Sequence, residues 1–325
     1  MSDFREIDDW VEVKKCPICD EKDRREKLIT NFNPTRPTLD WDICQNCSHL
    51  YVNPQPSQDW LSSYYKDGYR RDVYDLEEES ADNVPQQSGQ EEVARGVKIL
   101  TQIERIQGGG PFKRHLDIGS STGALLAGVM EKWGVPYSVG VEPNDAWREF
   151  SMNSFEKFST DGKAKGFLKE DHEFKTYSTL DEVPKSPKFD LITCSHVIEH
   201  MPEPLRVLTR LKKSHALSKA FLYVEVPFAL GGVPDALMFP HLHCFTPDTI
   251  SRLLHNAGWY PVSLEVHGAG VPPFFASPQS IAVLSSARPI VVDKDYILKR
   301  YNANRGQVKN ILEKQSGMSQ IYDMG

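Results

Sequence analysis

No apolar run in this 325-residue chain approaches the roughly eighteen residues that a membrane-spanning helix needs, so no membrane insertion is expected. The N-terminus, Met-Ser-Asp-Phe-Arg-Glu-Ile-Asp-Asp-Trp, is acidic and has no signal-peptide core. Positive charge is not in excess either: the formal net charge is −7 at pH 7. Phosphate backbones are bound by clustered Lys and Arg, so nucleic acid is not the expected partner. No internal repeat is visible. A cytoplasmic protein is expected, of a length that suits one large domain plus an appendage, or two domains.

Disulfides are not expected in that compartment, so the six cysteines point to metal or free thiols. Four of them stand as Cys16-Pro-Ile-Cys19 and Cys44-Gln-Asn-Cys47, with 24 residues between the pairs. Two such knuckles supply four thiolates, the set a tetrahedral zinc requires. A four-thiolate shell is closed, so this zinc is expected to be structural. His49 follows the second knuckle and reads as a packing or surface residue. Cys194 reads as a small core residue, and Cys244 as a loop residue near His241 and His243.

Residues 115–123, His-Leu-Asp-Ile-Gly-Ser-Ser-Thr-Gly, carry the strongest functional signal. An apolar run delivers Asp117, then Gly119 and Gly123 lead into a helix-forming run. Strand, glycine turn and helix bring backbone N–H groups up to a polar ligand. About twenty-five residues on, a second apolar strand ends in Glu142, and a carboxylate at that tip is placed to bind a ribose diol. The pair implies a nucleoside-bearing cofactor. Three other readings of the turn stay open. Gly-x-Ser-x-Gly would make Ser121 a nucleophile but leaves Asp117 and Glu142 idle. The dinucleotide fingerprint lacks its second glycine. A tight turn in another α/β fold is the third.

The rest of the chain alternates strand and helix, which implies a mainly parallel sheet covered on both faces. Strands are expected at 114–118, 138–142, 174–178, 189–195 and 221–226, with a final antiparallel pair at 262–266 and 280–284. Helices are expected from 93 to 106, from about 122, from 145 to about 158, from 204 to 213, from Thr246 to Gly258, and from 293 to about 315. The expected domains are 1–70, a zinc ribbon and aromatic segment; 71–90, a linker; 91–290, an α/β domain; and 291–325, a helical tail that could dock on the body or join a partner chain such as a second copy.

These pieces resemble, in order and spacing, the class I S-adenosylmethionine methyltransferases, and the likeness covers roughly residues 90–287. Phe189 to His200 resembles their fourth strand and the turn after it, and Phe221 to Pro227 their fifth. The resemblance implies a Rossmann-like seven-stranded, mainly parallel sheet with S-adenosylmethionine at its carboxyl end. Asp117, Gly119, Ser120, Ser121 and Gly123 would hold the amino-acid half of the cofactor. Glu142 would hold the ribose, Pro143 would flank the adenine, and Ser195 and His196 would close the site. With the four-cysteine start, the chain resembles the deoxysugar C-methyltransferase branch, in which a Glu-His pair at this place takes part in catalysis. That role falls on Glu199 and His200, with His241 and His243 as second candidates for the base. Tyr64, Tyr65 and Tyr69 could line the acceptor side or serve core or interface packing. The implied acceptor is a sugar, nucleotide sugar or glycan unit. That branch has a further C-terminal domain, which this chain is expected to lack, so O- or N-methylation stays open. A zinc-ribbon RNA methyltransferase and a non-catalytic partner protein are the other readings.

Overall fold

The computed structural model describes residues 6–289, apart from 23–24, 34–35, 75–79, 85–95, 106–109, 111, 165–171, 229–238 and 269–278. Five strands come first: β1 (Trp10–Val11), β2 (Arg25–Asn33), β3 (Arg36–Cys44), β4 (Leu50–Val52) and β5 (Gln55–Pro56). The two cysteine knuckles have matching backbones. Asp20 N–H closes on Cys16 O, and Ser48 N–H closes on Cys44 O. Asp20 and Ser48 both take the left-handed conformation, at φ 59° and 60°. Ser57 then caps α1 (Gln58–Asp67), accepting a hydrogen bond from Trp60 N, and Gly68 ends it. After Gly68 comes α2 (Tyr69–Tyr74), so the aromatic segment folds as two helices.

A helix through residues 96–105 (α3) precedes the main sheet. The chain continues with β6 (Arg114–Ile118), α4 (Ala124–Trp133), β7 (Tyr137–Val141), α5 (Asp145–Ala164), β8 (Glu173–Tyr177) and β9 (Phe189–Ser195). A short turn at Ile198–His200 leads to α6 (Pro204–Arg210), β10 (Ala216–Pro227), β11 (His243–Cys244), α7 (Pro247–Asn256), β12 (Tyr260–Gly268) and β13 (Gln279–Ser286). The large sheet has seven strands in the order β12-β13-β10-β9-β6-β7-β8. β10, β9, β6, β7 and β8 run parallel, and β13 lies antiparallel between β10 and β12.

Alternate residues of the central strands feed cores on opposite faces, as period-two geometry requires. Leu116, Ile192, Leu222 and Val224 join one core with Leu253 and Trp259. Leu191, Phe221, Tyr223 and Leu284 join the other with Ile99, Ile103 and Val129. Central strands buried on both faces explain the near-continuous apolar runs read from the sequence.

Several boundaries differ from expectation. Gly123 sits at φ +78°, so α4 starts at Ala124 rather than near 122. The helix expected to reach residue 213 stops at Arg210, and residues 211–215 wind into a wider π turn. β10 begins at Ala216 because it extends through exposed Leu217–Lys219, which carry no apolar alternation. α5 runs on to Ala164 through a polar face. The expected start of α3 at Val93 and the helix expected at 293–315 lie outside the described residues.

The ribbon does not stand apart. β11, from the segment after β10, adds antiparallel to β4, pairing His243 with Tyr51 and Cys244 with Leu50. Cys244 is thus a strand residue. The Asn256 side-chain amide at the end of α7 donates to Ile18 O in the first knuckle, at 2.8 Å. Ile18, Cys16, Cys44 and Tyr51 pack into the same core as Phe245, Ile250 and Leu253.

Candidate active site

Two groups of polar residues gather at the carboxyl ends of the parallel strands, where open α/β sheets bind ligands. The first is built on the turn after β6. Gly119 N–H and Ser120 N–H both donate to Val141 O, at 2.8 and 3.0 Å. Gly119, Ser121 and Gly123 all have positive φ, at 73°, 47° and 78°. A Cβ on Gly119 would lie 2.3 Å from Val197 Cγ2, so packing as well as dihedral demands glycine there. This coiling turns Ser121 N–H onto Glu142 Oε2 at 3.1 Å, while Asn144 N–H reaches Glu142 Oε1 at 3.2 Å. Glu142 is buried at the tip of β7. Arg148 Nη1 donates to the carbonyls of Glu142 and Pro143, fixing the start of α5.

Arg70 of α2 enters this group from the N-terminal segment. Its Nη2 donates to Ser121 Oγ at 2.7 Å and lies 3.3 Å from Glu142 Oε2. Its guanidinium also stacks near Trp147 and Tyr69, with centroids 5.1 and 5.4 Å away. Ser121 Oγ therefore meets a guanidinium where a nucleophilic serine would need an imidazole. Asp117 is held from behind. Thr193 Oγ1 donates to Asp117 Oδ1 at 2.6 Å, and His115 Nε2 lies 2.7 Å from Thr193 Oγ1. The hydroxyl has spent its proton on the carboxylate, so His115 Nε2 is the donor. Burial pulls the His115 pKa down to about 3, which keeps the ring neutral.

The second group follows β9. His196 takes a left-handed conformation at φ 55° and donates its N–H to Glu225 O. Its ring lies between two buried carboxylates: Nδ1 is 3.5 Å from Glu199 Oε1, and Nε2 is 3.6 Å from Glu225 Oε1. Ser195 Oγ donates to Glu225 Oε2 at 3.4 Å, and the Tyr223 hydroxyl lies 3.1 Å from the same oxygen. Glu199 is 1% exposed, and its carbonyl accepts from Leu242 N–H. His200 Nδ1 lies 3.2 Å from Pro240 O, and Nε2 lies 3.8 Å from Glu199 Oε1. A carbonyl only accepts, so Nδ1 carries the proton and Nε2 presents its lone pair.

Burial lowers the His200 pKa to about 4, with Glu199 opposing, so its imidazole is neutral at pH 7. Burial raises that of Glu199, but His196, His200 and His241 outweigh it, and the carboxyl sits below its ordinary value. The His241 ring lies 4.9 Å from that of His200. Tyr65 and Tyr69 cover His200 from α1 and α2, at 5.7 and 6.2 Å.

The ribbon braces this second group. His49 is fully buried, and its Nε2 lies 3.1 Å from His243 Nδ1, while His243 Nε2 lies 2.9 Å from Met201 O. Met201 O only accepts, so His243 Nε2 donates and its Nδ1 accepts from His49. His243 is thereby committed to structure. The four thiol sulfurs lie within 4.8 Å of one another, with Cys16–Cys47 and Cys19–Cys44 both at 3.6 Å. Sulfurs about 2.3 Å from a tetrahedral zinc would be spaced about 3.8 Å apart, so the four cysteines fit that ion.

Asp117, Gly119, Ser120, Ser121, Gly123, Glu142 and Pro143 therefore share the first group. Ser195, His196, Glu199 and His200 share the second. Arg70, Asn144, Trp147, Thr193 and Glu225 were not singled out by sequence reasoning. Glu225 alone left a trace, as one carboxylate inside the apolar run of β10.

Residues 78–264, more than half of the chain, match the family described as Methyltransferase domain. No curated protein matches the chain significantly. Among solved structures, the chain is similar to magnesium protoporphyrin IX methyltransferase from Synechocystis PCC 6803 with bound S-adenosylhomocysteine, at 13% identity and a TM-score of 0.47, covering 71% of this chain and 99% of that one. It is also similar to the N-methyltransferase NodS from Bradyrhizobium japonicum WM9, at 13% identity and a TM-score of 0.44, covering 60% and 96%. The chain belongs to the methyltransferase-domain family and is a class I S-adenosylmethionine-dependent methyltransferase.

Proposed function

We propose that the protein methylates a small polar acceptor, a sugar, nucleotide sugar or glycan unit, and that Glu199 and His200 are its catalytic pair. The first group of residues is assigned to the cofactor. The turn Gly119–Gly123 takes the amino-acid half, with Asp117 beneath it and Ser195 and His196 beside it. Glu142 takes the ribose hydroxyls, and Pro143 flanks the adenine. Bound there, S-adenosylmethionine supplies a methyl group on a sulfonium, an electrophile that needs an aligned nucleophile.

The observation that carries the acceptor reading is the roof of Tyr65 and Tyr69 over His200. Aromatic walls around a few convergent polar groups suit a small ligand. A neutral imidazole with an unprotonated Nε2 can take a proton from an acceptor hydroxyl. Glu199, held ionised beside it, stabilises the imidazolium that forms. The four cysteines are assigned a structural zinc, and its knuckles hold the segment that carries His241 and His243.

The test is transfer of labelled methyl from S-adenosylmethionine to a panel of nucleotide sugars, with RNA alongside. Label in a sugar acceptor, lost in His200→Ala, supports the reading. Label in RNA alone, or full turnover by His200→Ala, overturns it.

A further inference from the structure

Glu199 has bonding capacity that its part in the catalytic pair leaves unused. Its carboxylate is buried, and among the described residues neither oxygen makes a well-formed hydrogen bond: His196 Nδ1 stands off at 3.5 Å and His200 Nε2 at 3.8 Å. Buried carboxylates are ordinarily paired, hydrogen-bonded or bound to a metal. His200 turns an unprotonated Nε2 toward Glu199 Oε1 across 3.8 Å, too far for a hydrogen bond. A lone pair and a carboxylate oxygen facing each other repel unless something positive lies between them. His241 completes the arrangement: one donor atom each from Glu199, His200 and His241 lie within 4.8 Å of one another. Donors about 2.1 Å from a shared ion lie about 3 Å apart at right angles and about 4.2 Å apart when opposed. The three groups are within a small contraction of that spacing.

We propose that Glu199, His200 and His241 form a binding site for a first-row divalent cation, separate from the four-cysteine cluster. Two imidazoles and a carboxylate suit zinc, iron, cobalt or nickel and leave coordination positions open. The Pro240 carbonyl that takes the His200 Nδ1 proton is the outer brace such a ligand uses to fix its tautomer. His196, between Glu199 and Glu225, positions the carboxylate from the other side.

The use of the site rests on the methyl-transfer reading. An acceptor hydroxyl on an open position would lose its proton to water at lower pH than when free. The O–H bond breaks, the electron pair stays on the oxygen, and nothing is oxidised or reduced. His200 then holds the cation, and its part as the proton acceptor proposed above belongs to the metal-free protein.

The experiment is a titration of full-length protein, its four-cysteine cluster already filled with Zn2+, with Co2+. Bound cobalt is counted after gel filtration, and its visible spectrum is recorded. One equivalent without thiolate charge-transfer absorption is expected. His241→Ala should weaken it by about 100-fold or more, at least the loss seen when only an outer-shell partner is removed. Glu199→Gln is the second variant. S-adenosylhomocysteine binding and circular dichroism of the same samples report the fold. No bound cobalt, a thiolate-type spectrum alone, or wild-type affinity in a folded His241→Ala protein overturns the site. S-adenosylhomocysteine binding without cobalt sinks the site and leaves methyl transfer standing. Cobalt bound without S-adenosylhomocysteine supports the site and sinks its link to methyl transfer.

Discussion

The two ends of the cleft are built in opposite ways. The Glu142 end is folded mainly from neighbours in sequence, since residues 117–123 and 142–148 hold one another through the tips of β6 and β7, with Arg70 and Thr193 added from farther off in the chain. The Glu199 end is assembled from afar. Glu199 and His200 meet His241, Tyr65 and Tyr69, and the second histidine of that segment is tied to His49, 194 residues away. A turn with three positive φ angles can be specified locally. A site that must fit a particular acceptor is composed by whatever segments the fold brings over the strand ends.

This contrast predicts which perturbations reach which end. The largest effect should come from stripping the proposed zinc. The knuckles share a core with α7 and Phe245, and structural zinc contributes on the order of 10 kcal/mol in small domains. Chelation under mild conditions should abolish methyl transfer. Binding of S-adenosylhomocysteine, followed by calorimetry, should persist. Loss of both together would mean that the two ends are one cooperative unit.

Gly119→Ala should be next. Its φ of +73° and the 2.3 Å approach to Val197 predict a loss of roughly 2–4 kcal/mol, read from the urea midpoint. Methyl transfer and cofactor binding should fall together, because the glycine serves the turn itself.

The pH dependence of stability should carry the mark of His115. Its pKa is 6.5 in an ordinary setting and about 3 here. Between those values the unfolded chain binds the extra proton, so stability is complete above pH 6.5 and is lost as pH falls toward 3. His115→Gln should flatten that slope in urea titrations across the range. An unchanged slope would remove His115 from the account.

Tyr65→Phe should have the smallest effect on the fold. The Tyr65 hydroxyl is buried and finds no hydrogen-bond partner among the described residues, so removing it should be neutral or stabilising by up to about 1 kcal/mol. Burial raises the Tyr65 phenol well above its ordinary pKa, so it is not titrated in this test. A clear destabilisation would show that the acceptor end depends on the hydroxyl.

The same contrast explains what the sequence made legible. Asp117, the glycine turn and Glu142 could be read because strand, turn and carboxylate lie within a few dozen consecutive residues. The positions of the strands along the chain followed from their apolar runs, but their order in the sheet did not. Arg70 could not be found this way: it is 72 residues from Glu142, and nothing near it in the chain marks it. The π turn at 211–215 and the early start of β10 were hidden because their residues are polar and exposed or lack a period. The addition of β11 to the ribbon was also hidden, since a two-residue strand has no pattern to read.

The most direct test of the two-ended account is calorimetric titration of S-adenosylhomocysteine into wild-type protein, Glu142→Ala and His200→Ala. A charge-assisted hydrogen bond lost from a buried site costs about 1.5–3 kcal/mol, so Glu142→Ala should bind roughly 10- to 100-fold more weakly. His200→Ala should bind like wild type. Equal binding by wild type and Glu142→Ala, or a matching loss in His200→Ala, would contradict the division of the cleft into a cofactor end and an acceptor end.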